Sequence, residues 1–101
     1  GLRALNRVRQ SGGYYLTVSD EEILAAIPTL GSAGLFVEPA AAAAFAGLRT
    51  ALRQGLHSPD EPALVLCTGS GLKDINAAMR AVEPAPIIEP TLTHLKEALH
   101  V

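Results

Sequence analysis

The residues whose types and spacing suit chemistry best form a short run, Thr68-Gly69-Ser70-Gly71, directly after the apolar stretch 63–67 (ALVLC). A buried strand ending in a glycine-rich turn, at the carboxyl edge of a sheet, is where open α/β folds bind ligands. Glycine at such a turn lets the backbone approach a ligand closely. The same four residues also read as an ordinary strand-to-helix turn. They match neither common phosphate-binding pattern: Lys73 lacks the spacing of a P-loop lysine, and the run is not GxGxxG. Glu38 precedes Pro39, between an apolar segment and an alanine-rich run. A carboxylate there is either partly buried and in need of a partner or a helix-start charge favoured by the dipole. Cys67, the one thiol, ends the apolar stretch and reads as an inert small core residue. His94 and His100 do not have the i, i+4 spacing of a helical ligand pair, and His57 lies in a proline-containing loop. All three read as surface histidines, and no metal site is expected.

These residues need elements to hold them. Leu2, Leu5 and Val8, interleaved with arginines, predict a short first helix with a solvated basic face, stopped by Ser11-Gly12-Gly13. Residues 14–18 (YYLTV) are aromatic and β-branched and predict a strand. Ser19 with Glu22 makes a capping box. Ile23, Leu24, Ile27 and Leu30 then supply the buried stripe of a helix, with Pro28 expected to kink it. Gly31 and Gly34 end that helix, and residues 35–37 read as either a very short buried strand or an extended approach to the next helix. Pro39 suits the first position of the next helix, which the alanine-rich residues 40–52 continue until Gly55. The continuous apolar run 63–67 predicts a strand buried on both faces, as in a parallel sheet covered by helices. A helix is expected over 75–82, an irregular connector over 84–90, and a last helix over 91–99 on Leu92, Leu95 and Leu99. The alternation predicts an α/β fold: a partial parallel sheet flanked by helices.

Composition narrows the function. The chain has 101 residues, 8 Lys+Arg against 10 Asp+Glu, a formal net charge of −2, and 49% hydrophobic residues. The charge is too low and too mixed for an electrostatic nucleic-acid binder. The apolar fraction is too high for a disordered tail. No apolar run approaches the roughly 20 residues that span a membrane, so no membrane partner is expected. One cysteine points to a reducing, cytoplasmic setting, and the arginine-bearing N-terminus has no apolar segment of a secretory signal behind it. Two or three strands make a thin sheet. The chain also starts at Gly1 rather than Met, and it reads as part of a larger α/β unit.

Taken together, the motifs resemble a known family. Gly12-Gly13, Val18-Ser19-Asp20-Glu21-Glu22-Ile23, Gly34-Leu35-Phe36-Val37-Glu38-Pro39-Ala40, Ala42-Ala43, Ala46-Gly47-Leu48 and Thr68-Gly69-Ser70-Gly71-Leu72-Lys73-Asp74 occur in the order found in the C-terminal part of the threonine synthase family. These are pyridoxal-phosphate enzymes of fold type II, the tryptophan-synthase β-like group. The Glu-Pro-Ala segment is shared with threonine and serine dehydratases, whereas Thr-Gly-x-Gly-Leu-Lys-Asp is more particular to threonine synthases. The resemblance implies that residues 1–82 belong to the large cofactor domain and that 83–101 form a C-terminal connector and short helix.

It also implies an activity for the parent enzyme: conversion of O-phosphohomoserine and water to threonine and phosphate, with pyridoxal phosphate as electron sink. Thr68 matches the residue whose hydroxyl hydrogen-bonds the cofactor's pyridine nitrogen. A neutral hydroxyl does not stabilise a protonated ring nitrogen, and so it moderates the electron sink. Gly69 matches the position where the chain passes close to the ring, and Glu38 matches a residue of the Glu-Pro-Ala segment beside it. The family's Schiff-base lysine and its glycine-rich phosphate loop lie N-terminal to the matched region. Lys73 and Lys96 lack that lysine's context, so the 101 residues alone are expected to be inactive. Ser70 stands where the family commonly has histidine. Two alternatives remain open: another fold-type II enzyme such as a threonine or serine dehydratase, or a non-catalytic module that associates with itself through exposed apolar faces.

Overall fold

Five α-helices and one short 3₁₀ turn account for the regular structure of the computed structural model, which describes residues 1–101. The helices are α1 (Leu2–Gln10), α2 (Asp20–Ser32), α3 (Pro39–Arg53), α4 (Ile75–Ala81) and α5 (Leu92–Leu99), and the 3₁₀ turn spans Gly71–Lys73.

Each central helix starts where its side chains favour a start. Ser19 Oγ accepts a hydrogen bond from Glu22 N–H (3.2 Å), and Ser19 N–H donates to Glu22 Oε2 (2.9 Å), closing the capping box. Asp20, Glu21 and Glu22 put negative charge at the positive end of the α2 dipole. The helix runs through Pro28 to Ser32, although proline has no N–H to give the preceding turn. Chain reversal follows at Gly34, whose φ of +84° strains a residue with a Cβ. Pro39 occupies the first turn of α3 as expected. Asp74 Oδ1 accepts from Ala77 N–H (2.9 Å) at the start of α4, and Thr91 Oγ1 accepts from His94 N–H (3.3 Å) at the start of α5.

The core lies between α2 and α3. Ala26, Ile27 and Leu30 of α2 meet Ala41, Ala42 and Ala46 of α3, with Val37 beside them. The alanine face of α3 lets the two helix backbones come close. α4 packs on the other flank of α2 through the buried Ala77. α1 and α5 bury no residue.

The expected sheet is not formed within this chain. No β-strand forms over 14–18, 35–37 or 63–67. The one strand-like pairing is an antiparallel bridge between Val37 and Ser70, where parallel pairing was expected. The reason is local: a strand is held by a ladder to its neighbour, and residues 62–68 make no backbone hydrogen bond at all. The run 63–67 is also not buried on both faces. Leu64 is 88% exposed and Leu66 69% exposed, while Val65 and Cys67 face inward and are half-buried. It is extended chain with the period-two alternation of a strand, lying on the molecule by one face.

Candidate functional site

Two segments far apart in sequence meet at the bridge. One is 36–38, leading into α3; the other is 69–73, leading into α4. Glu38 N–H donates to the Gly69 carbonyl (3.1 Å), and Gly71 N–H donates to the Phe36 carbonyl (3.1 Å). These reciprocal bonds flank the Val37–Ser70 pair. Both glycines are buried, and each makes room for a side chain from the other segment. A Cβ at position 69 would overlap the Glu38 carboxylate, with its Cγ only 2.6 Å away. A Cβ at position 71 would overlap the Phe36 ring. The absent side chains at 69 and 71 are therefore a condition of the contact.

Glu38 caps α3 through its backbone alone, because its side chain makes no capping hydrogen bond. The carboxylate turns away from its own helix, lies over Gly69 and reaches Lys73, whose Nζ is 3.6 Å from Oε1. Its side chain is 21% exposed, against 66% for Lys73. Both sequence readings hold in part: Glu38 stands at the start of α3, and its partly buried carboxylate finds a partner in Lys73. Ser70 Oγ accepts from Leu72 N–H (3.3 Å) and starts the 3₁₀ turn that carries Lys73 back toward Glu38.

Thr68 precedes this turn. It is exposed, and its hydroxyl makes no hydrogen bond within the chain. The structure thus brings Glu38 and Gly69 into direct contact and sets Thr68 next to them along the chain. Sequence reasoning placed Phe36, Gly71 and Lys73 within the two motifs but did not pair them across the segments. One signal pointed there: a carboxylate before an apolar helix must find a cation or donor, and Lys73 is the lysine in the other motif. An apolar groove of about 340 Å³ lies close by, lined by Ile27, Phe36, Ile75, Met79 and Val82 among others.

A second polar cluster ties α2 to α3. Arg53 and Thr50 hydrogen-bond one carboxylate oxygen of Glu22, while the other oxygen holds Ser19 N–H. The Arg53 guanidinium, followed by the Ser19 backbone N–H, holds the Glu22 carboxyl below its ordinary range. Hydrogen bonds from the backbone and from Ser19 lower that of Glu21 as well. The three histidines lie apart from both clusters, and no group of three or more His, Cys, Asp or Glu side chains converges on a common point.

At the bridge, a free hydroxyl stands beside a side-chain-free position and a carboxylate already countered by a lysine. The Thr68 hydroxyl, exposed and without a partner in the chain, is free to hydrogen-bond a polar atom of a ligand. The chain belongs to the pyridoxal-phosphate dependent enzyme family, whose pattern matches residues 1–69. Among its relatives, the threonine synthase of Methanocaldococcus jannaschii is 44% identical over 98 residues, covering 96% of this chain and 24% of the relative. The threonine synthase of Methanosarcina acetivorans is 38% identical over the same coverage. That of Mycobacterium bovis is 41% identical over 88 residues, covering 83% of this chain and 24% of the relative. The chain therefore spans about a quarter of the length of the curated relatives it matches.

Proposed function

We propose that this chain is the C-terminal part of a threonine synthase, which converts O-phosphohomoserine and water to threonine and phosphate. The observation that carries the reading is the 44% identity to a threonine synthase across 96% of the chain. The contact between Glu38 and the Thr68–Gly71 turn supports it, because it joins the two motifs the family resemblance rests on. In this reading residues 1–82 belong to the cofactor domain and 83–101 form its connector and terminal helix. The extended segments 14–18 and 63–67 are strands of a parallel sheet in the whole enzyme. Leu64 and Leu66, exposed here, are covered by neighbouring elements there. The single cysteine and the biosynthetic role fit a cytoplasmic enzyme acting on a small amino-acid substrate.

Each residue has its task. When bound, pyridoxal phosphate supplies an electron sink for negative charge developing on the substrate. Thr68 would hold the ring by hydrogen-bonding its nitrogen, and a neutral hydroxyl there would not favour the protonated form of that nitrogen. Gly69, by lacking a side chain, makes the room in which the Glu38 carboxylate lies, and Glu38 would stand beside a ring held at Thr68. The assay that tests the reading offers the full-length protein O-phosphohomoserine, threonine and serine in parallel. Release of phosphate with formation of threonine is expected. Deamination of threonine or serine with no phosphate release would overturn it in favour of a dehydratase.

A further inference from the structure

We infer that Lys73 is a positioning residue for the cofactor site, acting through Glu38. The inference rests on the reading above and adds to it a residue in which no side chain need touch the ring. Four observations lead to it. The Glu38 side chain declines the capping bond open to it at the start of α3. It lies instead over Gly69, in space that a Cβ there would fill. Its one side-chain partner is Lys73, 3.6 Å away. Lys73 itself sits at the end of a 3₁₀ turn, set by Ser70 and by the bond from Gly71 N–H to the Phe36 carbonyl.

The geometry makes the pair a clasp across two segments. On one side, the lysine charge keeps the carboxylate of Glu38 folded back on the Gly69 backbone. On the other, the same attraction draws the 70–73 turn onto the start of α3, fixing the direction in which residue 68 leaves the bridge. Without the lysine, Glu38 is a half-buried carboxylate with no counter-charge, and it swings out toward water. The space over Gly69 then opens, and the turn after Thr68 loses its ionic tie to the start of α3. Lysine acts here as a point charge, which arginine can replace in sign and reach.

The test is cofactor affinity of the full-length enzyme, stripped to the apo form and titrated with pyridoxal phosphate, read by quenching of protein fluorescence and independent of turnover. The variants are Lys73→Met, Lys73→Arg, Glu38→Gln, the Lys73→Met/Glu38→Gln pair, and Thr68→Val. Lys73→Met is expected to weaken binding about three- to fivefold, the range of a partly exposed ion pair. Lys73→Arg is expected to restore it to within about twofold. Adding Lys73→Met to Glu38→Gln is expected to cost little more, because the two act as one unit. Unaltered affinity in Lys73→Met, or losses that multiply in the double variant, would overturn the inference. If Thr68→Val and Glu38→Gln weaken binding but Lys73→Met does not, only the role of Lys73 fails. If none of the three weakens it, the placement of the cofactor at this bridge fails as well.

Discussion

Gly69 and Gly71 show how two hydrogen atoms in place of side chains decide what meets at the bridge. At Gly69 the displaced group would be the flexible end of Glu38; at Gly71 it would be an aromatic ring. The consequences differ. Gly71→Ala must push the Phe36 ring out of its place, and overpacking of this kind costs about 1–3 kcal/mol. A lowered urea midpoint with an unchanged slope is the expected readout. A midpoint equal to that of the unaltered chain would show that the ring moves aside freely. At this scale the sequence was informative about residue types and silent about pairing. Glu38 and Thr68-Gly69 were legible as candidates from type and motif. The Glu38–Lys73 pair was legible only as a carboxylate in need of a partner, because the two segments are brought together by the fold alone.

At the scale of elements, helices were more legible than strands for a physical reason. Ser19, Glu22, Pro39, Gly55 and Thr91 act within a turn of where they stand, so sequence alone locates the ends they govern. The segments 14–18 and 63–67 have strand-like composition, but a strand exists only through a neighbour that no local pattern supplies. Two predictions belong here. Ser19→Ala removes one half of the capping box and is expected to cost about 1 kcal/mol, seen as a lower thermal midpoint; no change would mean that the box contributes nothing beyond water.

The second prediction concerns acid. Glu22 has its carboxyl lowered by Arg53 and by Ser19 N–H, so at mildly acidic pH the unfolded chain binds the proton more readily than the folded one. Its contribution to stability is present above the ordinary value of 4.5 and is lost as pH falls below it through the lowered folded value. Urea midpoints taken between about pH 6 and pH 3 should therefore fall with acid, and less steeply in Glu22→Gln. Equal slopes in both proteins would exclude Glu22 as a source.

For the molecule as a whole, shape and burial agree. The chain measures 60 × 30 × 19 Å with a radius of gyration of 18.0 Å, where a compact chain of this length has about 13 Å. Its core is the α2–α3 interface, filled mainly by alanines. Leu64 and Ile87 stand almost fully in solvent and Leu66 is largely exposed, next to a backbone with no ladder partner. Such an edge pairs with other chains when nothing covers it. The 101 residues produced alone are expected to self-associate, with a sedimentation coefficient that rises with protein concentration. A concentration-independent monomer would show that these surfaces find cover within one chain. The α/β expectation is carried at this scale by family membership and by the alternating exposure of 63–67, rather than by a sheet within the chain.

The central claim is that the turn beginning at Thr68 receives the ring of pyridoxal phosphate, and one titration tests it most directly. Cofactor affinity of the full-length enzyme is compared among the unaltered protein, Thr68→Val and Thr68→Ser. Loss of the hydroxyl with shape retained is expected to weaken binding about five- to tenfold, the worth of one hydrogen bond of about 1–1.5 kcal/mol, while Thr68→Ser stays within about twofold. Equal affinity in Thr68→Val and the unaltered enzyme would contradict the claim.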